Sequence, residues 1–492
     1  MPGPLHGVKV VEMTSVVLGP WACQMLGDMG AEIIKVEQPR GDSNRSLGAA
    51  NHPGMAALYL TCNRNKRSIV LDLRLPGARD ALLALARDAD VFVHNNRPQV
   101  MTKLGLEYAD FKKVNPRIIY CGAYGYSKRG PYGKLGALDD SIQAASGIAM
   151  LNEMVLGEPR YLPTIVADKT TAITVVYAAL AALFHRERSG EGQEIEVPMF
   201  ETMVNFVMAE HLWGMTFDPP KGKPGYTRLM SKDRKPYKTL DGYIGVLPYL
   251  NAHWVKFCEL TGHPELATDP RFLTLADRVR NIDATNQTTA RIIATRTTAE
   301  WLKVFDDSGI PHIVVNTLEG LADDPHLVAT GFWKFMDHPS EGRLRMASFP
   351  VNFASTPADI RRPAPRLGEH DAEVVMGHLV ARVQRDRAAV VRERLLALPL
   401  RLVGMERIGA VPRLGEMLHH AVGATLGARE HEHQAGFGGV QDSLQQRGFL
   451  DNDEGMPRYR RQNAGGIDLN VGLRRQRSDQ RRRGRLSPVG LF

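Results

Sequence analysis

Short runs of apolar, often β-branched residues alternate with helix-like stretches along the first 200 residues of the chain. Apolar strands that alternate with helices are typical of a parallel sheet covered by helices on both faces. The pattern therefore predicts an α/β domain over residues 1–215. Its strands are expected at 7–12, 30–37, 67–73, 90–94, 117–121 and 194–197, with helices at 21–29 and 76–89 and a long apolar helix after residue 169 that runs to about residue 185.

Polar residues follow several of these strands, where ligands of open parallel sheets usually bind. The segments are 14–20, 38–42, 72–74 and 94–98, and they offer arginine, asparagine and glutamine side chains suited to phosphates and a nucleotide. An alternative interpretation treats each segment as an ordinary polar loop that faces water. Their common position at one edge of the sheet favours a binding crevice.

The rest of the chain divides by composition into four parts. Residues 216–240 are rich in Pro, Gly and Lys and predict a linker, and residues 241–325 combine helix and strand patterns of a smaller α+β domain. Residues 326–400 are expected to return and complete the large domain. Residues 401–492 are rich in Arg, Gly and Gln with weak periodicity, and we predict a basic, low-complexity, disordered tail.

Charge and cysteine content exclude several classes of protein. The net charge is +8, but residues 401–492 contribute +5 of it, with 15 Arg and no Lys, so the body is nearly neutral. Four scattered cysteines without a CxxC pair argue against a disulfide scaffold or zinc ribbon. The longest nearly uncharged apolar stretch, 170–184, is shorter than a membrane span, and no signal peptide is recognised. We predict a cytoplasmic protein.

Common catalytic fingerprints are absent from the sequence. The turn at 14–20 has one glycine where a nicotinamide-binding fold has G-x-G-x-x-G, so we expect a Rossmann-like topology without dinucleotide binding. HExxH, Walker and GxSxG motifs are also missing. Histidines at 419–420 and 431–433 lie in the unpatterned tail, and we predict no metal site.

Asp168 is the residue with the most distinctive position. It stands between a short apolar run and the start of a long apolar helix, where an aspartate often caps the helix N-terminus. The same position also suits a nucleophile, because a helix N-terminus stabilises a carboxylate that is poorly hydrated. Both interpretations follow from the sequence.

An ordered set of motifs resembles the class III CoA-transferase family, the CaiB/BaiF-like group that includes formyl-CoA transferase and carnitine CoA-transferase. The resemblance extends over about residues 5–395 and excludes the tail. It rests on GVKVVE (7–12), GP (19–20), GAEIIKVExP (30–39), GDxxR (41–45), NRNKRS (63–68), LDL (71–73), DxxxQAxSG (139–147), AD (167–168), RxRxGxGQ (186–193), DGY (241–243), DP (324–325) and LGEH (367–370).

The resemblance implies an interlocked homodimer, in which each chain has a Rossmann-like large domain and a small α+β domain. It implies that Asp168 is the nucleophile, that CoA or acyl-CoA is a substrate, and that no cofactor is tightly bound. The family's CoA-contacting positions correspond to Val16, Val17, Leu71, Arg74, Asn95 and Asp139, with Arg40 replacing an arginine expected at Gln38 and Lys103 replacing another.

The implied reaction moves CoA from an acyl-CoA to a carboxylic acid through an aspartyl anhydride and an aspartyl-CoA thioester. We hypothesise that backbone N–H groups near Asp168 and around Gly147 stabilise the oxyanions. The related 2-methylacyl-CoA racemases are an alternative, although Leu138 stands where we expect their histidine base. Nucleic-acid binding through the tail is a second alternative, with few aromatic residues to support it.

Three segments are expected to select the acid substrate: 213–214, 221–235 and 248–251. Their lysines and arginines favour an acid with an extra carboxylate, such as a dicarboxylic acid. The identity of the acyl donor and acceptor does not follow from the sequence.

Overall fold

A six-stranded parallel sheet organises the first 200 residues. The computed structural model describes residues 3–75 and 77–375. The spatial order of the strands is β3-β2-β1-β4-β5-β6, and every neighbouring pair is parallel. The predicted α/β class is therefore confirmed. The strands are β1 (Lys9–Met13), β2 (Glu32–Glu37), β3 (Lys66–Val70), β4 (Val91–His94), β5 (Ile119–Tyr124) and β6 (Glu194–Pro198).

Helices pack against both faces of this sheet because successive strand residues point to opposite sides. Val10 belongs to one apolar core and Val11 to the other, and both side chains are almost completely buried. The helices of this part are α1 (Leu18–Asp28), α2 (Ala57–Cys62), α3 (Ala78–Ala86), α4 (Pro98–Leu104), α5 (Tyr108–Val114), α6 (Asp139–Ala145), α7 (Ile148–Leu156), α8 (Val166–Ser189) and α9 (Met199–His211).

Helix α8 is longer than the sequence pattern indicates. We expected it to end near His185, but Arg186 and Arg188 lie in its last turn and Gly190 caps it in the predicted left-handed conformation. Cations in the last turn interact favourably with the carbonyl end of a helix, which explains the extension. The helix is long and apolar enough to span a membrane, although half of its apolar window is buried inside the protein, as in a core helix.

A second region has its own sheet and its own core. Its three strands are antiparallel in the order β7-β8-β9, and Trp254, Phe257 and Trp301 are fully buried among its helices. The mixed α+β pattern predicted here is thus present. The elements are β7 (Tyr237–Lys238), β8 (Tyr243–Val246), α10 (Asn251–Thr261), α11 (Leu275–Arg280), α12 (Ile282–Ile293), α13 (Thr298–Phe305), β9 (His312–Val314) and α14 (Pro325–Ala329).

The chain then returns to the edge of the large sheet. After the antiparallel hairpin β10 (Trp333–His338) and β11 (Gly342–Ala347), the His370 N–H donates to the Ser68 carbonyl at 3.0 Å. Asp371 accepts a hydrogen bond from the Val70 N–H at 2.8 Å. The segment after residue 326 therefore contacts β3. The exact domain boundaries stay predictions, and the predicted tail at 401–492 lies outside the described residues.

Candidate active site

The chain order reverses between β1 and β4, which are neighbours in the sheet, and the loops that follow these two strands meet there. The Asn95 amide donates to the Ser15 carbonyl at 2.8 Å and accepts from the Ser15 N–H at 3.1 Å. A crevice at such a reversal is the usual ligand position in open α/β sheets. Asn95, in the loop after β4, therefore lies beside the loop after β1 at this edge of the sheet.

The next residue, Val16, is held in a strained backbone conformation. Its φ is +69°, which is unusual for a β-branched residue and costs on the order of 1–3 kcal/mol. Asp42 accepts the Val16 N–H at 3.1 Å, and the Asn44 amide donates to the Val16 carbonyl. Both polar groups of Val16 are therefore bound from the loop after β2, which holds the strained turn in place.

A buried cluster of charges lies beneath this turn. The Lys35 ammonium contacts Glu12, Asp42 and the Thr14 carbonyl, each at 3.0 Å, and Lys66 contacts Glu12 at 2.8 Å. Lys35, Glu12 and Lys66 are inaccessible to solvent. Burial alone lowers the pKa of a lysine, but the carboxylates around Lys35 raise its pKa above the ordinary value. Lys35 is therefore charged and links the sheet to the Val16 turn.

The apolar residues predicted to contact CoA lie close to this edge. Val17 is buried at the start of α1, and Val16 is half-buried. Leu71, directly after β3, is buried and donates its N–H to the Glu37 carbonyl at 2.9 Å. Together with Asn95, these residues follow β1, β3 and β4 at the carboxyl edge of the sheet.

The three predicted cations differ in their surroundings. Arg40 is exposed in the turn after β2. Arg74 is exposed after β3 and binds both carboxylate oxygens of Asp72, at 2.8 and 2.7 Å. Lys103 is exposed in the last turn of α4, about 8 Å along the helix from its start. Arg40 and Arg74 thus follow strands at the crevice edge, whereas Lys103 is displaced along a helix.

Asp168 is the third residue of α8 and is buried, with 8% of its surface exposed. Its backbone N–H donates to Asp139 at 2.9 Å, and Asp139 is the first residue of α6. No side chain caps α8, because Ile165 occupies the N-cap position. The capping interpretation of Asp168 is therefore wrong, and its carboxylate is not used to hold the helix end.

Gln143 connects the two helices that carry these carboxylates. It lies one turn after Asp139 on α6 and donates to Asp139 at 2.6 Å. Its amide also donates to the Thr164 carbonyl at 3.2 Å and accepts from the Leu162 N–H at 2.9 Å. Gln143 thereby holds the chain that leads into α8. The sequence spacing of four, which places Asp139 and Gln143 on one helix face, was the available signal for this pair.

The environment of Asp168 shifts its protonation equilibrium. Burial, and secondarily the charge of Asp139, raise the pKa of Asp168 to about 7. A carboxylate with such a pKa is poorly solvated when ionised, which makes it a stronger nucleophile than an exposed aspartate. Perturbed carboxylates of this kind are typical of catalytic sites.

The hypothesis about oxyanion donors needs a correction at one position. The Asp168 N–H is occupied by Asp139 and is therefore not a free donor. Gly147, between α6 and α7, has a φ of +88°, and a Cβ added there would meet no atom within 4 Å. The space beside Gly147 is thus open, and only glycine adopts this conformation without strain.

Within residues 3–75 and 77–375, no group of three or more His, Cys, Asp or Glu side chains is arranged to hold a metal ion. All four cysteines are free and buried. The histidines at 419–420 and 431–433 lie outside the described residues.

The segments expected to select the acid substrate meet through aromatic contacts. Trp213 stacks on Tyr226, with ring centroids 4.8 Å apart. Arg228 lies over the rings of Tyr226 and Tyr249, at 5.6 and 5.3 Å from their centroids. A pocket of about 640 Å³ opens beside Trp213 and Tyr226, with Leu275 and Val279 of α11 on its other wall. Residues from 213–214, 221–235 and 248–251 therefore come together.

Comparison with known proteins decides the family. A family model described as CoA-transferase family III matches residues 5–371 of the chain. The chain belongs to CoA-transferase family III. The match covers most of the span in which the sequence motifs resemble this family, and residues 372–395 of that span lie beyond it. The predicted resemblance is confirmed, and the protein is a CoA-transferase of class III.

The alignments with curated relatives of this CoA-transferase extend over nearly the full length of each relative. The chain is 31% identical over 384 residues to the probable fatty acyl-CoA transferase Rv3272 of Mycobacterium tuberculosis, covering 75% of the chain and 96% of the relative. It is 31% identical over 384 residues to succinate–glutarate CoA-transferase of Agrobacterium fabrum, covering 76% and 95%. It is 34% identical over 382 residues to acetyl-CoA:oxalate CoA-transferase of Acetobacter aceti, covering 75% and 94%.

Solved structures of the family share the fold. A CaiB/BaiF family protein from Brucella suis gives a TM-score of 0.65 at 30% identity, covering 77% of this chain and all of that one. The orthorhombic crystal structure of Rv3272 from M. tuberculosis gives a TM-score of 0.66 at 30% identity, covering 75% and 99%. The class III CoA-transferases act on acyl-CoA thioesters and carboxylic acids, which is the substrate class of this enzyme.

Proposed function

We propose that Asp168 is the covalent acceptor through which this enzyme moves CoA from an acyl-CoA to a carboxylic acid. The observation that carries the proposal is a buried carboxyl group at the start of α8, with a pKa raised to about 7 and no role as a helix cap. Asp139 and Gln143 hold the surrounding chain by hydrogen bonds. Such a group is available for chemistry and is poorly stabilised by solvent.

The first half of the reaction transfers CoA to the enzyme. An Asp168 carboxylate oxygen attacks the thioester carbonyl carbon of the donor, the C–S bond breaks, and CoA leaves as a thiolate. The thiolate then attacks the aspartyl carbonyl carbon of the resulting anhydride. The C–O bond at that carbon breaks, the donor acid leaves as a carboxylate, and Asp168 carries CoA as a thioester.

The second half repeats these steps with the acceptor. A carboxylate oxygen of the acceptor attacks the aspartyl carbonyl carbon and displaces the CoA thiolate. The thiolate attacks the acceptor carbonyl carbon of the new anhydride, which yields the product acyl-CoA and regenerates the Asp168 carboxylate. The acceptor oxygen that made the attack stays on Asp168. No proton is consumed in either half of the reaction.

We propose that the backbone N–H of Gly147 contributes to the oxyanion site. Each attack creates a tetrahedral oxyanion. Backbone N–H groups that are already oriented towards this charge stabilise it without a cost of reorganisation. The open space beside Gly147 supports this assignment. The Asp168 N–H, in contrast, is bound to Asp139 and stabilises the position of that carboxylate.

CoA is proposed to bind along the carboxyl edge of the sheet as a substrate, without a tightly held cofactor. The loop at Val16 and Val17, with Leu71 and Asn95, lies along this edge and would contact the nucleotide. Arg40, Arg74 and Lys103 supply the positive charge for its phosphates, and Asp139 contributes through its bond to Asp168. Arg74 would exchange its exposed partner Asp72 for a phosphate at little cost, since exposed ion pairs are weak.

A homodimer is proposed from the surface of α8. Ile173, Tyr177 and Phe184 form a stripe on this helix, and each is more than half exposed. The spacing places them on one face, opposite the residues buried against the sheet. Neighbouring exposed apolar side chains of this kind are typical of an interaction surface. The interlocked dimer implied by the resemblance would cover it, and light scattering measures the expected mass of two chains.

Replacement of Asp168 tests the function directly. We expect Asp168→Asn to reduce transfer by about 10⁴-fold or more, because the covalent route is lost, while CoA binding stays near that of the parent. Asp80→Asn is the matched control, since it makes the same substitution at an exposed carboxylate of α3 and keeps the nucleophile. Hydroxylamine should trap the activated acyl group at Asp168 in the parent enzyme only. Full activity of Asp168→Asn would contradict the proposal.

The racemase alternative is tested in the same preparation. Incubation of a chiral 2-methylacyl-CoA in deuterated water should leave the α-carbon unlabelled, because Leu138 cannot accept a proton and is exposed. Deuterium at that carbon would favour the racemase.

We propose that the enzyme acts in the cytoplasm, which its four free cysteines support. A truncation near Arg401 tests nucleic-acid binding by the tail.

A further inference from the structure

Arg228 has a guanidinium group with little to bind in the part of the chain that the structure describes. Its Nε donates to the Tyr226 hydroxyl at 3.4 Å, a long hydrogen bond, and its plane lies near two aromatic rings. No carboxylate of residues 3–75 or 77–375 lies within ion-pair distance of it. The side chain is half-buried rather than fully solvated. The guanidinium group of Arg228 is therefore held in place by aromatic contacts but has no carboxylate partner among the described residues.

Two other arginines of this region already bind carboxylates, and Arg234, in the same segment as Arg228, is exposed. Arg271 also lies over an aromatic ring, that of Phe272, but it binds both oxygens of Asp269. Arg280 donates to Asp277 at 2.9 Å. Arg228 thus resembles Arg271 in its aromatic contact but differs from it because its guanidinium group binds no carboxylate.

Both rings around Arg228 are themselves anchored. The Tyr226 N–H donates to His211, the last residue of α9, at 3.2 Å. Arg278 donates to the Tyr249 carbonyl at 2.9 Å, which fixes the loop before α10. A cation that lies over two anchored rings loses little conformational freedom when a ligand binds. The arrangement is that of a prepared binding group.

The loop that carries Arg228 lies close to the C-terminal half of α7. A Cβ added at Gly225 would lie 3.8 Å from the methyl carbon of Met154 in α7. Helix α7 begins directly after Gly147, and α6 before it carries Asp139. The Arg228 loop is therefore near the helix that follows α6 in the chain.

We propose that Arg228 binds a second carboxylate of the acid substrate, so that dicarboxylic acids and their mono-CoA thioesters are the substrate class of this enzyme. The inference rests on the proposed function of Asp168, which reacts with the first carboxylate. Arginine suits the second one because its planar fork matches a carboxylate with two parallel hydrogen bonds. The aromatic rings exclude water from one side of the pair and strengthen it.

The lysines of the same segment are less suited to this role. Lys221 lies over the ring of Phe217 at 4.4 Å, and Lys235 is mostly exposed beside Asp233. Exposed lysines are well hydrated and offer no fixed geometry. Arg228 is therefore the one half-buried cation of 221–235, since the others are exposed: Lys221, Lys223, Lys232, Arg234 and Lys235.

Pairs of acids with equal carbon number test the proposal. Succinate is compared with butyrate, and glutarate with valerate, as acceptors from one saturating acyl-CoA donor. The parent enzyme should prefer the dicarboxylic member of each pair. In Arg228→Met the KM for the dicarboxylic acid should rise about 10- to 100-fold, with the butyrate and valerate values nearly unchanged. Arg228→Lys keeps the charge without the planar pair of N–H donors, and its KM for the dicarboxylic acid should lie between those of the parent and Arg228→Met.

The control is Arg271→Met, which removes an arginine that also lies over an aromatic ring but is already bound to Asp269. We expect it to leave the preference between the paired acids unchanged. Equal KM changes for both members of a pair in Arg228→Met, or a parent enzyme without dicarboxylic preference, would overturn the inference. Loss of transfer to every acid by the parent enzyme would instead refute the proposed function, so the two failures are distinguishable.

Discussion

The crevice edge and the acid-side loops are built by different kinds of contact. At the edge, the turn at Val16 is bound through both of its backbone groups and rests on Lys35, which is completely buried. On the acid side, Trp213 and Tyr226 are joined by ring stacking, and Trp213 is nearly half exposed. One region is tied by buried, charge-assisted hydrogen bonds, and the other by aromatic contacts that are partly exposed to solvent.

The difference matches what each region is proposed to bind. CoA is the same in every turnover, and a site for it benefits from a geometry that does not vary. The acid differs among the related enzymes, whose names include succinate, glutarate and oxalate. Aromatic contacts in loops permit such variation without disturbing the sheet. The proposed sites for the constant and the variable substrate thus lie in different segments of the chain.

The largest expected effect comes from the buried charges at the edge. Lys35→Met leaves Glu12 and Asp42 without a cation between them and removes a donor to the Thr14 carbonyl. We expect the free energy of unfolding to fall by about 3–5 kcal/mol, measured by chemical denaturation. Any folded fraction should bind CoA more weakly, since Asp42 also holds Val16.

A surface lysine provides the control for this prediction. Lys128 pairs with Glu194 at 2.6 Å, and both side chains are exposed, so Lys128→Met should cost less than about 1 kcal/mol. Similar losses in the two variants would show that burial of the Lys35 cluster contributes nothing special. The comparison between the two regions would then lose its basis.

An intermediate effect is expected in the dependence on pH. Because the nucleophile is the carboxylate and the pKa of Asp168 is raised to about 7, kcat/KM should increase as the pH rises through 7. Asp139→Asn should move the midpoint to lower pH by less than the full shift, since burial is the larger cause. A flat profile between pH 6 and 8 (roughly one unit on either side of the midpoint) would contradict this assignment.

The same shift affects stability with the opposite sign. Between the ordinary pKa of an aspartate and about 7, the folded protein keeps a proton on Asp168 that the unfolded chain has lost. The contribution of this group to stability is therefore complete at low pH and disappears as the pH rises through 7. Relative to Asp168→Asn, the parent should lose on the order of 2–4 kcal/mol over this range. Denaturation midpoints at pH 4 and 8 measure it.

The smallest effect on stability is expected on the acid side. Trp213→Ala removes the stack on Tyr226 but no buried polar contact, so the unfolding free energy should fall by only about 1 kcal/mol. The KM for acid acceptors should nevertheless rise, while the Kd for free CoA stays unchanged. An equal change in CoA affinity would show that the two regions are not independent.

The sequence predicted the sheet well because its strands are buried on both faces. Val91, Phe92 and Val93 point alternately into two cores, and all three are fully buried, so an unbroken apolar run was sufficient. Helix α9 and strand β10 were not predicted. Strand β10 alternates weakly, with Lys334 and Phe335 both exposed, and such a pattern carries little information.

The sequence also pointed to Asp168, but not to the way its neighbours act. Asp139 was expected to contact CoA and forms a hydrogen bond with the Asp168 backbone, 29 positions away along the chain. Lys35 stands within an apolar strand, and the sequence does not show that its charged side chain is buried. Its burial depends on Glu12 and Asp42, which the fold brings to it. The meeting of Arg228 with Tyr249 joins two loops without periodicity. Contacts of this kind depend on the assembled fold.

The most direct test of the account follows oxygen atoms. If Asp168 forms the anhydride and the thioester, an acceptor acid labelled with a heavy oxygen isotope in its carboxylate must leave one labelled oxygen on the enzyme. Mass spectrometry of the digested protein after turnover should find that label in the peptide containing Asp168, and nowhere else. Continued turnover with no label at Asp168, or with the label on another residue, would contradict the mechanism.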